Sequence, residues 1–510
     1  MQRIWWSAFV LAGILMAFLL VGANYIFEQG NVLLGPKNSL ADSPSTIKSS
    51  GGYPDSPEGP DDPGRPVEST GLPRTAPLCI PVRTPQDLDN VRNNLVGNYC
   101  QMNDIDLDGY NMNPIGAYFD PDDPRNREFI GNYTGNNYKI KNFEYLNLTR
   151  DPVYGASAVG LFSFSSGLIK GVGLENINVG GYRETGALVG NNRGQVIDVS
   201  AHEIITFSNM SSGGLIGVNS GRIIKSSVYL TLASGYVVGG LVGTNVRGTI
   251  EDSYAIGEVN HSMIYLDSGC VGGLVGVNGD SSIIRNSFAI ANVSSYTVGG
   301  GLACTSYDSA IINSSFRGKV SGTRIVGGFV GSTSLLYTEG NIIENSYANS
   351  EVYGNSQVGG FVGQTQGGQI INSYADGSVV GRYNVGGFVG MSGDYSPSTI
   401  IDSYSHSSVY GISNVGGFIG YFLSGSLTNS YSKGRVTGDA GTGGLVGVQD
   451  EVNIFSSYWD INTSGQSQSA GGEGRTTQQM QTQSNYAGWD FMNIWRINER
   501  QDYPRLRWEN

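Results

Sequence analysis

Asp104, Asp106 and Asp108 alternate along the chain and are followed by Gly109, the D-x-D-x-D-G opening of a calcium loop. Calcium takes roughly six to eight oxygen ligands, and the twelfth loop position normally supplies a bidentate Glu. Ile115 stands there, so the loop match fails. The stretch reads as a first strand and turn of the folded body. Calcium at Asp104, Asp106 and Asp108 stays a weak candidate, kept open by Asp120, Asp122 and Asp123. No other cofactor is implied.

Polysaccharide cleavage, the rival function, needs carboxylates converging on one groove as acid and base. Asp252 and Asp402 recur in a column that is otherwise Asn, where a structural role is expected. Asp376, Glu258 and Glu351 share outward columns with Lys319, Lys433 and Arg435, a mixed solvated face. His202, His261 and His406 do not pair with Cys, Glu or each other at metal-ligand spacing. No nucleophile elbow or phosphate loop appears. The chain is therefore expected not to be an enzyme, with a polysaccharide lyase or glycoside hydrolase as the alternative.

Cys79 and Cys100 bracket the start of the folded region and are expected to form a disulfide. Cys270 and Cys304 sit six residues out of register in successive repeats. At about 3.3 Å per strand residue that is too far for a bond unless the strand bends sharply. They are expected as small buried residues. Seven N-x-S/T sequences, at Asn132, Asn147, Asn209, Asn260, Asn292, Asn313 and Asn462, arise in a chain rich in Asn and Ser.

The elements that must position these residues are repeats. Gly-Gly or Gly-Ala, then Leu or Phe, then Val or Ile, then Gly begins at Gly186, Gly213, Gly239, Gly272, Gly300 (degenerate, GGLAC), Gly327, Gly359, Gly386, Gly416 and Gly443. The commonest spacing is 27 residues, with longer copies that carry loop insertions. Each copy holds three short strand-like pieces; from Gly359 they are GGFVG, QIINSYA and GSVVG. None is long enough for a helix, and a propeller blade needs about 40 residues. The pattern predicts an all-β, right-handed parallel β-helix of about a dozen three-strand coils, stacked ~4.8 Å apart into a rod of roughly 60 Å. With 76 Gly and only 14% charged residues, the composition suits strands and tight turns.

Columns that tolerate charge face water. Ile370, Asn372 and Tyr374 share one parity, and the position between the first two varies freely (Glu251, Arg285, Glu344, Thr428). The aliphatic, Asn and aromatic columns are thus predicted inside, with the Asn side chains stacked, and the following Ser column outside. Ala375, Gly377 and Val379 also read as inward, which demands a bend after Tyr374. Val385, Phe388 and Val389 are all inward only if Gly386-Gly387 makes a corner.

Residues 4–22 are almost wholly apolar, and both a signal peptide and an uncleaved membrane anchor fit them. Residues 29–77, rich in Pro, Gly, Ser and Asp, read as a disordered stalk. The expected layout is 1–28 export segment, 29–77 stalk, 78–158 N-terminal cap and first coils, 159–460 repeats, and 461–510 C-terminal cap. Trp489, Trp495 and Trp508 are expected, with Phe491 and Tyr503, to cover the last coil. The net charge of −13 repels phosphate backbones and argues against a nucleic-acid partner.

The GGLVG and GGFVG repeats, with their companion I-x-N-S-Y-x-x-G-x-V, resemble the GLUG-motif repeat family of extracytoplasmic bacterial and archaeal proteins. DIDLDGYNMNPIG near the start and SSYWD, GWDFMNIWRI and YPRLRW near the end fit it too, so the likeness runs over residues 100–508. It implies a secreted or cell-surface β-helical module, often adhesive, without a fixed active site. Surface glycans, neighbouring cells or further copies of the chain are the expected partners. The Ser column and inserted loops with Tyr307, Tyr337 and Tyr395 form the expected contact strip.

Overall fold

The computed structural model describes residues 79–117, 127–148, 158–261, 269–333, 340–394 and 396–509. Residues 1–78 lie outside the described residues, and with them the apolar segment 4–22 and the stalk 29–77. Asp120, Asp122, Asp123, Tyr337 and Tyr395 also lie outside them.

The fold is a parallel β-helix. Its strands join into parallel sheets of 23, 17 and 11 strands, each strand pairing with its counterpart one coil away. Gly359, Gly386 and Gly416 stand in register, as do Ile343, Ile370 and Ile400. Among the described residues the one antiparallel strand pair is Trp495–Arg496 with Arg505–Leu506. One side of each coil uses two short strands, for example Val389–Ser392 and Ser398–Ile401.

The Gly-Gly corner is present as predicted. Val385, Phe388 and Val389 are all fully buried, and the chain turns between strands Tyr383–Gly386 and Val389–Ser392. A Cβ on Gly387 would lie 2.2 Å from the Gly417 carbonyl oxygen of the next coil, so only glycine lets the corners stack. Inside them Phe329, Phe361, Phe388 and Phe418 stack with centroids 4.6–4.7 Å apart.

The Asn-Ser corner differs from the sequence reading. Asp252, Asn286, Asn313, Asn345, Asn372, Asp402 and Asn429 all adopt left-handed backbone, with φ between 48° and 51°. Asn and Asp tolerate that region better than other non-glycine residues. A left-handed residue interrupts the in-out alternation, so every column after it shifts by one. The Ser column is therefore inside, not outside, and the aromatic column is outside. Ser253, Ser287, Ser314, Ser346, Ser373, Ser403, Ser430 and Ser457 are at most 2% exposed. The phase break falls at Asn372, and no bend after Tyr374 is needed. The predicted inward faces of Ile370, Ala375 and Val379 hold.

Each buried serine closes its corner with two hydrogen bonds. Ser314 Oγ donates to the Ile312 carbonyl at 2.8 Å and accepts the Ser287 N–H of the preceding coil at 3.3 Å. The same pair of bonds repeats in unbroken sequence from Ser226 to Ser457. The corner Asn column does stack as predicted, but on the outer side, with Asn286 Nδ2 donating to Asp252 Oδ1 at 3.1 Å and Asn313 Nδ2 to Asn286 Oδ1 at 3.3 Å. A second, buried ladder links Asn192, Asn219, Asn245 and Asn278 from Nδ2 to Oδ1 at 2.7–2.9 Å.

Both ends are closed. At the N-terminal end Thr84 and Asp87 cap the helix Pro85–Asp89, and Leu88 and Val91 are fully buried in the main core. At the other end the chain beyond the last coil crosses it: Gly444 N–H donates to Gln468 O, and Glu473–Arg475 pairs with Tyr458–Asp460. The Trp-rich tail lies along the flank rather than across the end. Its indole N–H groups bond three coils in turn: Trp489 to Ser456 O, Trp495 to Asp402 Oδ1, and Trp508 to Asn372 O. This strap covers the outward aromatic ladder of Tyr374, Tyr404, Tyr431 and Tyr458.

Cys79 and Cys100 form the expected disulfide. Cys270 and Cys304 also form one, with Cα atoms 5.5 Å apart, contrary to the expectation that they are too distant. The Gly-Gly corner folds the chain back, so residues six apart along it become neighbours; the Cys270 sulfur lies 3.7 Å from Gly276 O. Cys304 replaces the last Gly of its motif, which accounts for the degenerate GGLAC.

Two outcomes follow. Ser314→Ala leaves the Ser287 N–H without its partner and the Ile312 carbonyl with only the Asn286 N–H, so stability should drop by about 1–3 kcal/mol. Exposed Ser294→Ala should shift it by less than about 0.5 kcal/mol. Equal urea midpoints for the two variants would contradict the corner. Non-reducing peptide mapping should recover exactly two cross-linked pairs, 79 with 100 and 270 with 304; any other pairing counts against the coil register.

Candidate functional site

The early carboxylates serve the first corners. Asp104 Oδ1 accepts the Lys139 N–H at 2.9 Å, and its other oxygen lies 3.1 Å from Lys141 Nζ. Asp106 Oδ1 accepts the Asp108 N–H and the Asn142 Nδ2. The backbone bond from Lys139 lowers the Asp104 pKa and that from Asp108 lowers the Asp106 pKa. Among the described residues no group of three His, Cys, Asp or Glu side chains is placed to hold a metal ion. No helix among them is long and apolar enough to cross a membrane. Tyr307 is half-buried, its ring lying where a Cβ on Gly279 would stand, and burial raises its phenol pKa.

Three other groupings come from stacking. At the corner between the second and third sides, Tyr353 and Tyr410 stand two coils apart in one column with Val380 between them, and Tyr383 projects from the intervening coil three residues further on; the three are 36%, 55% and 44% exposed. Lys319 Nζ lies 4.8 Å over the Tyr353 ring, and the Arg382 guanidinium 5.5 Å from that of Tyr383. On the two-strand side, the turns stack into an open groove rimmed by Arg193, Arg222 and Arg247. Both were missed in the sequence because these residues sit at different offsets within their copies. Aligning each turn on its own Gly, as in Arg193-Gly194 and Arg247-Gly248, would have exposed the second.

Under the strap lies a polar cluster. His406 Nε2 is 2.8 Å from Tyr431 Oη, and the imidazole packs beside Tyr404 and Tyr503. Burial pushes the His406 pKa well down, helped by Lys433 and Arg505. Tyr503 donates to Asp460 Oδ2 at 2.6 Å, and Tyr404 to Glu509 at 2.8 Å. Burial raises the Asp402 and Glu509 pKa values. These bonds tie the strap to the coils.

Coils closed by a Gly-Gly corner and an Asn-Ser corner define a parallel β-helix repeat protein. The GLUG motif matches at residues 234–260, 267–294 and 354–380, so the chain carries repeats of the GLUG family. No curated protein matches the chain. Among solved structures, an IgA1 protease is 17% identical with a TM-score of 0.36, covering 63% of this chain and 21% of its own. A Bacteroides ovatus structure assigned as an immunoglobulin A1 protease is 17% identical with a TM-score of 0.22, covering 85% and 93%. At these TM-scores neither bears on what this chain does.

His406 gives the strap a pH dependence. Its folded pKa lies below the ordinary 6.5, so below that pH the unfolded chain takes up a proton the folded chain refuses. Stability should therefore fall as the pH drops from about 6.5 toward the lowered value. Asp402 and Glu509, with raised values, gain protons first in the folded state and act oppositely, but they are common to wild type and His406→Gln. Wild type should lose more melting temperature between about pH 7.5 and 5.5 than H406Q; identical losses would contradict a buried neutral imidazole.

Proposed function

We propose that the chain is an extracytoplasmic, adhesin-like binding protein whose repeated surface contacts glycans, neighbouring cells or further copies of itself. The observation that carries this reading is the row Tyr353, Tyr383 and Tyr410, three exposed aromatic rings on successive coils. Such rings give amphipathic contact area with little conformational entropy to lose. Several such rings along one edge turn weak contacts into avidity. The two disulfide pairs fit an oxidising compartment outside the cytoplasm.

The ladders beneath support the reading. A surface held by a stacked core and buried hydrogen bonds is pre-organised, which lowers the ordering cost of binding. Catalysis would need a converging acid and base, and the outward carboxylates Glu258 and Glu351 bond neighbours instead: Asn292 Nδ2 at 2.7 Å and Tyr353 Oη at 3.3 Å.

A glycan array run beside a reducing-sugar release assay tests the proposal. Binding without turnover, lost in the Tyr353→Ala/Tyr383→Ala/Tyr410→Ala variant, is the expected result. Calcium-dependent cleavage of a bound glycan, or an array with no glycan whose binding depends on the three tyrosines, would overturn it.

A further inference from the structure

On the side built from two strands per coil, the intervening turns form a groove of about 530 Å³. It runs from Ile130 and Asn132 to Arg247 and Thr249. Strand pairing places those ends four coil steps apart, about 19 Å at ~4.8 Å per step. The floor is bare backbone. A Cβ on Gly167, Gly194 or Gly221 would come within 2.0–2.1 Å of the carbonyl oxygen of the preceding coil, so no side chain can fill it.

The rim is cationic. Arg193, Arg222 and Arg247 are exposed and come from three successive coils. Among the described residues neither Arg193 nor Arg247 forms an ion pair with a carboxylate; Arg193 rests 4.9 Å from the Phe164 ring centroid. Arg222 is 3.7 Å from Glu251, but that carboxylate is held more closely, at 3.1 Å, by Arg285. Beyond Arg247 the sign changes: Asp280 and Asp308 flank Tyr307. The positive strip thus has a defined end, in a chain whose net charge is −13.

We infer that this groove binds an anionic polysaccharide, with Arg193, Arg222 and Arg247 holding its carboxylate or sulfate groups. Guanidinium forks match both groups through paired N–H bonds. Asn132, Ser166, Gln195, Ser220 and Thr249 line the same groove and suit sugar hydroxyls. A nucleic acid fits less well: the overall negative field repels a long polyphosphate, and the nearest ring, Phe164, is already covered by Arg193. The inference rests on the binding reading above and adds the ligand class and a second contact surface.

The test is calorimetric titration of the full chain at low salt against polygalacturonate, chondroitin sulfate, dextran and a single-stranded oligonucleotide. One of the two charged glycans should bind and dextran should not; which one binds distinguishes carboxylate from sulfate. Arg193→Gln/Arg247→Gln should weaken that binding by about tenfold or more, with unchanged melting temperature. Arg193→Lys/Arg247→Lys should restore part of it, and added salt should weaken the wild type. Equal binding of dextran, no binding of either charged glycan, affinity unmoved by R193Q/R247Q, or tighter capture of the oligonucleotide would each overturn the inference. Array binding that persists in R193Q/R247Q but is lost in the triple tyrosine variant would leave the proposed function standing while this groove assignment fails.

Discussion

At one corner of each coil the backbone passes through left-handed space, and from Ser226 to Ser457 the serine just after it turns inward to bond both its own coil and the coil before. Each half of that arrangement requires the other. The left-handed Asn or Asp redirects the chain, which points the Ser hydroxyl into a dry interior. The hydroxyl then satisfies an N–H that the corner would otherwise leave unpaired, and adds a second bond to a carbonyl that already accepts one from the backbone. Because one bond in each pair crosses between coils, the corner also sets their register. The Phe stack and the Asn192–Asn278 ladder follow from that register, since identical residues meet only when coils superpose.

The same phase shift explains the exterior. Moving every column by one places the aromatic residues outside, where Tyr347 and Tyr374, and then Tyr374 and Tyr404, stack at 5.0 and 4.9 Å. A bare ladder of this kind would be a large exposed apolar patch. The C-terminal strap covers its last part and bonds the corner backbone through its tryptophans. The strap is therefore a consequence of the corner rather than an independent lid over the end.

The sequence reveals the repeat, its parallel stacking, the Gly-Gly corner and the first disulfide, because each is a local pattern or a period. It misleads at Asn372 and Ser373, because charge tolerance marks a column as inside or outside only if alternation is unbroken, and one left-handed residue breaks it. Cys270 and Cys304 fail for a related reason: distance along a strand is not distance in space when a glycine corner intervenes. Alternate Asp residues suit turns as well as ligands, and Asp106 and Asn142 continue the same corner ladder. The arginine groove and the tyrosine row are invisible to a fixed offset, since loops of varying length bring them together only after stacking.

Substitution at one central corner tests this account most directly. Asn313 has φ of 49° and an exposed side chain, away from the strap. Asn313→Gly keeps the left-handed conformation at no steric cost, whereas a β-branched Val is strained there. Urea unfolding should place N313G within about 1 kcal/mol of wild type and N313V lower by roughly 1–3 kcal/mol. Equal stability of the two variants would contradict the claim that the left-handed corner holds the coils in register.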